Sequence, residues 1–276
     1  MELEALPYTL LIILAEFSVG SLIAVLIADA RGMVMLSFVK LSAVFVVISA
    51  GLTLLASFGA SGSTFGDYRL DETLYTPVRT LLALFLAVTL PYLLLVYQGR
   101  RELSLRAGAV TAAVGIVALG LIAYQISPPT WGFPGVLLSV LIGALALGFV
   151  NESMVLGHWY LVSPKLPGKP LQELTFLLLI AVALQIALVM LNAALPARDA
   201  PDTSAVLARS LGSNPAFWLR VGVGLLFPLG LSYMAWQSSR EHAMMSATGL
   251  LYIAVGAVFV GELLARGILF VTGAPV

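Results

Sequence analysis

The sequence predicts an all-α membrane protein, a polytopic bundle of about eight transmembrane helices with both termini on the extracytoplasmic side. Three observations carry this expectation. Sixty percent of the 276 residues are hydrophobic and only 10% are charged. The mean hydropathy is +1.03, more apolar surface than a soluble domain of this length could keep from water. Eight apolar runs follow one another, each long enough to cross a hydrocarbon core about 30 Å thick, which takes about 20 residues. The loops between them are short, so the chain reads as a single integral membrane domain over 1–276.

The first helix is expected over 7–29. It follows Met1-Glu2-Leu3-Glu4, acidic where a secretory signal would be basic, and no small-residue cleavage pattern comes after it, so it reads as a retained helix. Helices at 33–58, 78–98 and 106–126 come next. They are set off by Ala30-Arg31-Gly32, by the polar stretch 60–77, and by Gln98-Gly99-Arg100-Arg101. Two prolines, Pro128 and Pro129, precede a long helix at 134–162. The proline-rich stretch 163–170 separates that from 171–195, and the loop 196–214 leads into 215–237. After Ser238–Glu241 the last helix runs over 243–270. Pro91 and Pro228 fall inside helices, where each removes a backbone donor and is expected to kink its helix.

Orientation is read from lysine and arginine. Arg31, Lys40, Arg100, Arg101, Arg106, Lys165, Lys169 and Arg240 fall on one side, eight in all. Arg69, Arg79, Arg198, Arg209, Arg220 and Arg266 fall on the other, six in all. The six lie mainly in longer loops, where the positive-inside rule is weaker, which puts the eight-residue side in the cytoplasm. The loops 60–77 and 196–214 then face outward. Asp67, Asp71, Glu72, Asp199 and Asp202 give that face an acidic tint that suits either plain solvation or docking of a partner subunit.

Composition also narrows the chemistry. There is no cysteine, which excludes disulfides, thiol catalysis and cysteine-ligated iron–sulfur clusters within the chain. His158 and His242 are the two histidines, and both fall near the membrane surface on one side. They could ligate a haem, but no second pair exists to carry electrons across, which argues against one. The net charge is zero, no basic tract suggests nucleic acid, and the two longer loops hold no nucleotide-binding or catalytic motif.

Ionisable groups inside hydrocarbon cost roughly 2.5–3.5 kcal/mol each on insertion scales, so each marks a candidate site. Glu16 lies near the middle of the first helix and is a candidate proton carrier, or else an acid bonded to a neighbouring helix. Lys40 is near enough to its helix end to snorkel to the interface. Asn151 and His158 are seven residues apart and share a helical face, while Glu152 points about 100° away from Asn151. The run Gly157-His158-Trp159-Tyr160-Leu161 joins a histidine to two interfacial aromatics. Glu262 and Arg266 have the i,i+4 spacing of a helical ion pair. Helical rise places Glu262 near the outer leaflet, as part of a salt bridge or of a quinone headgroup pocket.

Eight helices, outward termini and the last-helix run Gly261-Glu262-Leu263-Leu264-Ala265-Arg266-Gly267-Ile268-Leu269-Phe270 resemble the polysulfide reductase/NrfD and dimethyl sulfoxide reductase anchor family. Members commonly carry Gly-Glu-x-x-x-Arg followed by aromatics in the final helix. The opening helix, Leu10 to Gly20 with Glu16 inside it, is similar to theirs. These matches span about 30 residues, and the His158-Trp159-Tyr160 segment departs from the family pattern. The resemblance implies a membrane anchor that oxidises quinol or reduces quinone (menaquinone or ubiquinone), usually without haem. Partner subunits carrying iron–sulfur clusters and the catalytic centre would dock on its outer face. It carries Glu262 and Arg266 over as headgroup or proton-relay residues, and Glu16 as an inward extension.

The expected function is therefore a quinone-interacting subunit of a respiratory oxidoreductase in the cytoplasmic membrane. Three readings stand beside it: a small proton-coupled transporter with Glu16, Lys40, Asn151 and Glu152 at a midplane site, a haem protein using His158 with or without His242, and an assembly factor with no chemistry of its own. For the transporter, Pro91 and Pro228 sit in corresponding helices of a four-plus-four division.

Overall fold

A computed structural model describes residues 5–60, 64–65, 68–127, 132–163, 166–194 and 211–276. Among them are eight helices long and apolar enough to cross a membrane. They are α1 (Leu6–Ala30), α2 (Leu36–Gly59), α3 (Tyr75–Tyr97), α4 (Arg101–Gln125), α5 (Gly132–Val162), α6 (Lys169–Ala194), α7 (Pro215–Arg240) and α8 (Met244–Thr272). The starts of α3 and α4 precede the sequence expectation. Asp71 accepts from the backbone N–H of Thr73 and nucleates a 3₁₀ turn, Glu72–Leu74, that runs straight into α3. Gly99, at φ 71°, reverses the chain so tightly that Arg101 already opens α4. Between α2 and α3 lies a two-residue antiparallel ladder, Thr64–Phe65 with Tyr68–Arg69.

The helices form two closed sets of four. α1 packs on α2, α2 on α3, α3 on α4 and α4 back on α1; α5, α6, α7 and α8 repeat this circuit. The sets join where α1 meets α5, α4 meets α5 and α1 meets α8, which makes α1 the most enclosed helix of the protein. Eight successive crossings return both ends of the chain to one face, where the rings of Tyr8 and Phe270 lie 6.2 Å apart. We call this the termini face and the opposite one the basic face.

Lipid chains are as apolar as leucine, so helices in a bilayer associate through close packing rather than through the hydrophobic effect. The seam between α1 and α5 shows this best. A Cβ built on Gly20 would fall 1.8 Å from the Ala144 carbonyl oxygen, and one on Gly148 would fall 2.0 Å from the Gly20 carbonyl carbon. The two backbones touch there, which only glycine on both helices allows.

α7 is not one regular helix. Residues Arg220–Leu226 form a π-helical stretch between α-helical ends, and Pro228 follows directly. A proline has no N–H to give to the preceding turn, so a carbonyl there is left free. The Gly224 carbonyl is instead reached by Arg220, whose Nη1 donates to it at 3.2 Å. The kink expected at Pro228 is thus a π segment, and its effect is to seat an arginine inside the bundle.

Candidate functional site

Two buried polar clusters lie on either side of the Gly20–Gly148 contact. Glu16 is four residues to the termini side of Gly20, and Glu152 four to the basic side of Gly148, about 6 Å along the axis in each case.

The first cluster brings together α1, α5, α6, α7 and α8. Arg266 reaches both acids: its Nη2 lies 2.5 Å from Glu16 Oε1 and 3.1 Å from Glu262 Oε2. The same guanidinium donates to Ser139, from Nη1 to the hydroxyl at 2.8 Å and from Nη2 to the carbonyl at 3.1 Å. Glu262 Oε1 accepts from Arg220 Nη2 at 3.2 Å and from Gln185 Nε2 at 2.5 Å. All four charged side chains are enclosed, with Arg220 the most accessible at 2%. Two acids and two arginines balance formally, and each guanidinium has an acid to meet, which is what keeps buried charge tolerable. Two glycines make the space. A Cβ on Gly143 would lie 2.7 Å from both Arg266 Nη2 and Glu262 Oε2, and one on Gly261 would lie 2.6 Å from Arg220 Nη1. Glu16 Oε2 reaches no hydrogen-bond partner among the described residues.

The second cluster joins α1, α2 and α5. Glu152, fully enclosed, accepts from the Ser42 hydroxyl at 2.5 Å through Oε2 and from Asn151 Nδ2 at 2.9 Å through Oε1. Asn151 Nδ2 also lies 3.5 Å from the Ser21 hydroxyl. No ion pair to Glu152 occurs among the described residues. Tyr92 on α3, whose buried hydroxyl has no partner among them, lies within electrostatic reach of both Glu152 and Asp29. Asp29 is at the basic face, ion-paired with Arg101 at 3.1 Å.

The remaining sequence candidates separate from one another. His158 does not meet Glu152; its Nδ1 is 2.9 Å from the Tyr252 hydroxyl. His242 occupies the turn between α7 and α8 with φ 60°. The Lys40 ammonium sits 5.1 Å from the centre of the Tyr97 ring near the basic face, as its expected snorkelling requires. Asp67, Lys165, Arg198, Asp199, Asp202 and Arg209 lie outside the described residues. Several described groups of the two clusters are not marked by the sequence, among them Ser21, Ser42, Ser139, Gln185 and Arg220. The serines and Gln185 are uncharged, so the cost of charge in hydrocarbon does not single them out. Arg220 was counted as a charge of the outer face together with Arg266. Both are buried in the bundle.

Neither a protein-family model nor a curated protein matches this chain.

Proposed function

We propose that the chain is a quinone-interacting membrane subunit of a respiratory oxidoreductase, handling protons inside the bilayer while partner subunits on the termini face carry iron–sulfur clusters and the substrate chemistry. The observation that carries this reading is the pair of buried acid clusters. The side chains gathered at the centre of this bundle are suited to holding and passing protons: three carboxyls, three hydroxyls, two amides and two guanidiniums. Quinone reduction and quinol oxidation move protons together with electrons, and a proton must reach or leave the headgroup through such groups. Glu152, with hydroxyl and amide partners and no cation, is suited to exchange a proton. Glu262, Arg266 and Glu16, the residues suggested by the anchor-family resemblance, form the second station on the termini side.

The test is mass spectrometry of lipophilic molecules retained by the detergent-purified protein, with an absorption spectrum of the same sample. Retained menaquinone or ubiquinone, and soluble redox subunits purified with the chain, are the expected results. A preparation with neither quinone nor partner would overturn the reading.

One observation favours a proton-coupled carrier instead. Two four-helix sets meet at the charged clusters, and the third helix of each set carries a proline, Pro91 and Pro228. Proteoliposomes holding the chain alone decide between the two. Solute-dependent proton movement without any redox donor supports the carrier, and its absence alongside retained quinone supports the anchor.

A further inference from the structure

The bundle carries a lateral groove of about 550 Å³ between α1, α2, α5 and α8, on the basic-face half. Its walls are apolar, with Phe17, Leu41, Phe45, Met154 and Val162 among them. Leu41, Phe45 and Tyr252 are exposed at the bundle surface that faces lipid, so the groove is entered from the bilayer rather than from water. Its polar groups sit at two ends. At one, His158 and Tyr252 form their 2.9 Å pair beside Trp159, whose indole N–H is buried without a partner among the described residues. At the other, Asn151 lines the groove with the side chain that donates to Glu152.

We propose that this groove seats the headgroup of a lipophilic para-quinone, an inference that rests on the quinone reading above. The dimensions and the donors both point to this occupant. Asn151 and His158 are seven residues apart on one helical face, about 10 Å along the axis. That is the reach of a six-membered ring with a carbonyl at each end and one hydrogen bond beyond each carbonyl. The volume suits a compact ring with the start of an apolar tail, which leaves between α2 and α8 into lipid. Among the described residues no lysine or arginine lines the groove, so these residues offer a phospholipid phosphate no counter-charge. Asn151 hydrogen-bonds the enclosed Glu152, so one end of the bound ring lies a single side chain away from a carboxyl that can exchange its proton. The run His158-Trp159-Tyr160, which fits no feature of the anchor family, thereby has a use: His158 and Trp159 shape one end of the groove. Tyr160 donates to the Pro167 carbonyl and fastens the end of α5 that holds them.

Tryptophan fluorescence of the purified full-length protein in nanodiscs, titrated with a short-chain ubiquinone analogue, tests the proposal. Quinones quench indole on contact, and Trp159 lines the groove. Saturable quenching is expected, with its main component lost in Trp159→Phe. Binding followed by equilibrium dialysis should weaken roughly threefold to tenfold in His158→Ala and in Tyr252→Phe, the loss of about one hydrogen bond each. Met154→Trp, which fills the groove without removing a polar group, should abolish it, and Ser49→Ala, which loses only a hydroxyl bonded within its own helix, should leave it unchanged. Saturable binding that survives Met154→Trp would overturn the groove while keeping the quinone function. Retention of phospholipid and no binding of the analogue at all would overturn both.

Discussion

The two acid clusters solve one problem in different ways. Around Glu16 and Glu262, charge is answered with charge: two arginines from two helices meet two acids, and Gln185 and Ser139 fill further hydrogen-bonding positions. Around Glu152, one acid is answered only with dipoles, the Ser42 hydroxyl and the Asn151 amide. A balanced array loses stability when any member changes its charge. A lone acid among dipoles can gain or lose a proton without stranding an opposite charge. Under the proposed function the first cluster is chiefly structural, with proton holding as an added capacity, and the second is the one suited to exchange. The backbone contact of Gly20 with Ala144 and Gly148 stands between them.

The largest effect should come from removing the arginine that both acids share. Arg266→Met leaves Glu16 and Glu262 with Arg220 alone, and breaking a buried pair by deleting one partner costs about 3–5 kcal/mol. The thermal midpoint in detergent should fall steeply, or the variant should fail to purify as a monodisperse species. A midpoint equal to that of the parent would refute the idea that balance holds this cluster together. Next comes the pair Glu262→Gln and Arg220→Met. Each alone leaves one unbalanced buried charge, whereas the double variant is neutral again. A double-mutant cycle on the thermal midpoints should show a favourable coupling of about 0.5–3 kcal/mol. Additive losses would mean that the 3.2 Å contact between Arg220 and Glu262 contributes little.

At the second cluster the effects should be smaller. Ser42→Ala removes the hydroxyl that donates to Glu152 and leaves a buried carboxyl oxygen with no donor, a loss of about 1–3 kcal/mol. The measurement is the same thermal midpoint, with Ser49→Ala as control. The Ser49 hydroxyl bonds only within its own helix, to the Val46 carbonyl, and its loss should be nearly silent.

Much of this was legible in the chain. Hydropathy marks all eight crossings because a bilayer admits so few alternatives, and the cost of charge in hydrocarbon singles out Glu16, Glu152, Glu262 and Arg266. The i,i+4 pair of Glu262 and Arg266 is a local fact and was readable as one. The remaining partnerships are not local. That Arg266 also meets Glu16, 250 residues away in sequence, depends on α1 lying beside α8, which no single sequence states. Arg220 had a signal that went unread: an arginine with glycines two and four residues on and a proline eight residues on. In a helix, that pattern frees a carbonyl and makes room for a guanidinium. Counting it among the charges of the outer side hides half of the counter-charge in the bundle. The pairing of His158 with Tyr252 likewise depends on α5 lying beside α8, although the seven-residue spacing from Asn151 had already put one wall of the groove on a single helical face.

The smallest effect on stability, and the sharpest contrast, should come from making the same change in both clusters. Glu152→Gln keeps the shape of the side chain and one oxygen to accept from Asn151. The Ser42 hydroxyl, which donates now, can rotate and accept from the new amide, so every hydrogen bond survives. The change in stability should be no more than about 1 kcal/mol. Glu262→Gln preserves shape equally well but leaves two buried arginines with Glu16 alone, one charge unbalanced, so it should cost several times more. If the two clusters differ as argued, thermal midpoints will rank the variants in that order. Turnover of a reduced quinol by the assembled complex will rank them the other way in meaning: Glu152→Gln, well folded, should lose proton-coupled activity because an amide cannot take up a proton. A Glu152→Gln protein that is stable and fully active would reduce Glu152 to a hydrogen-bond acceptor and end the distinction between the clusters.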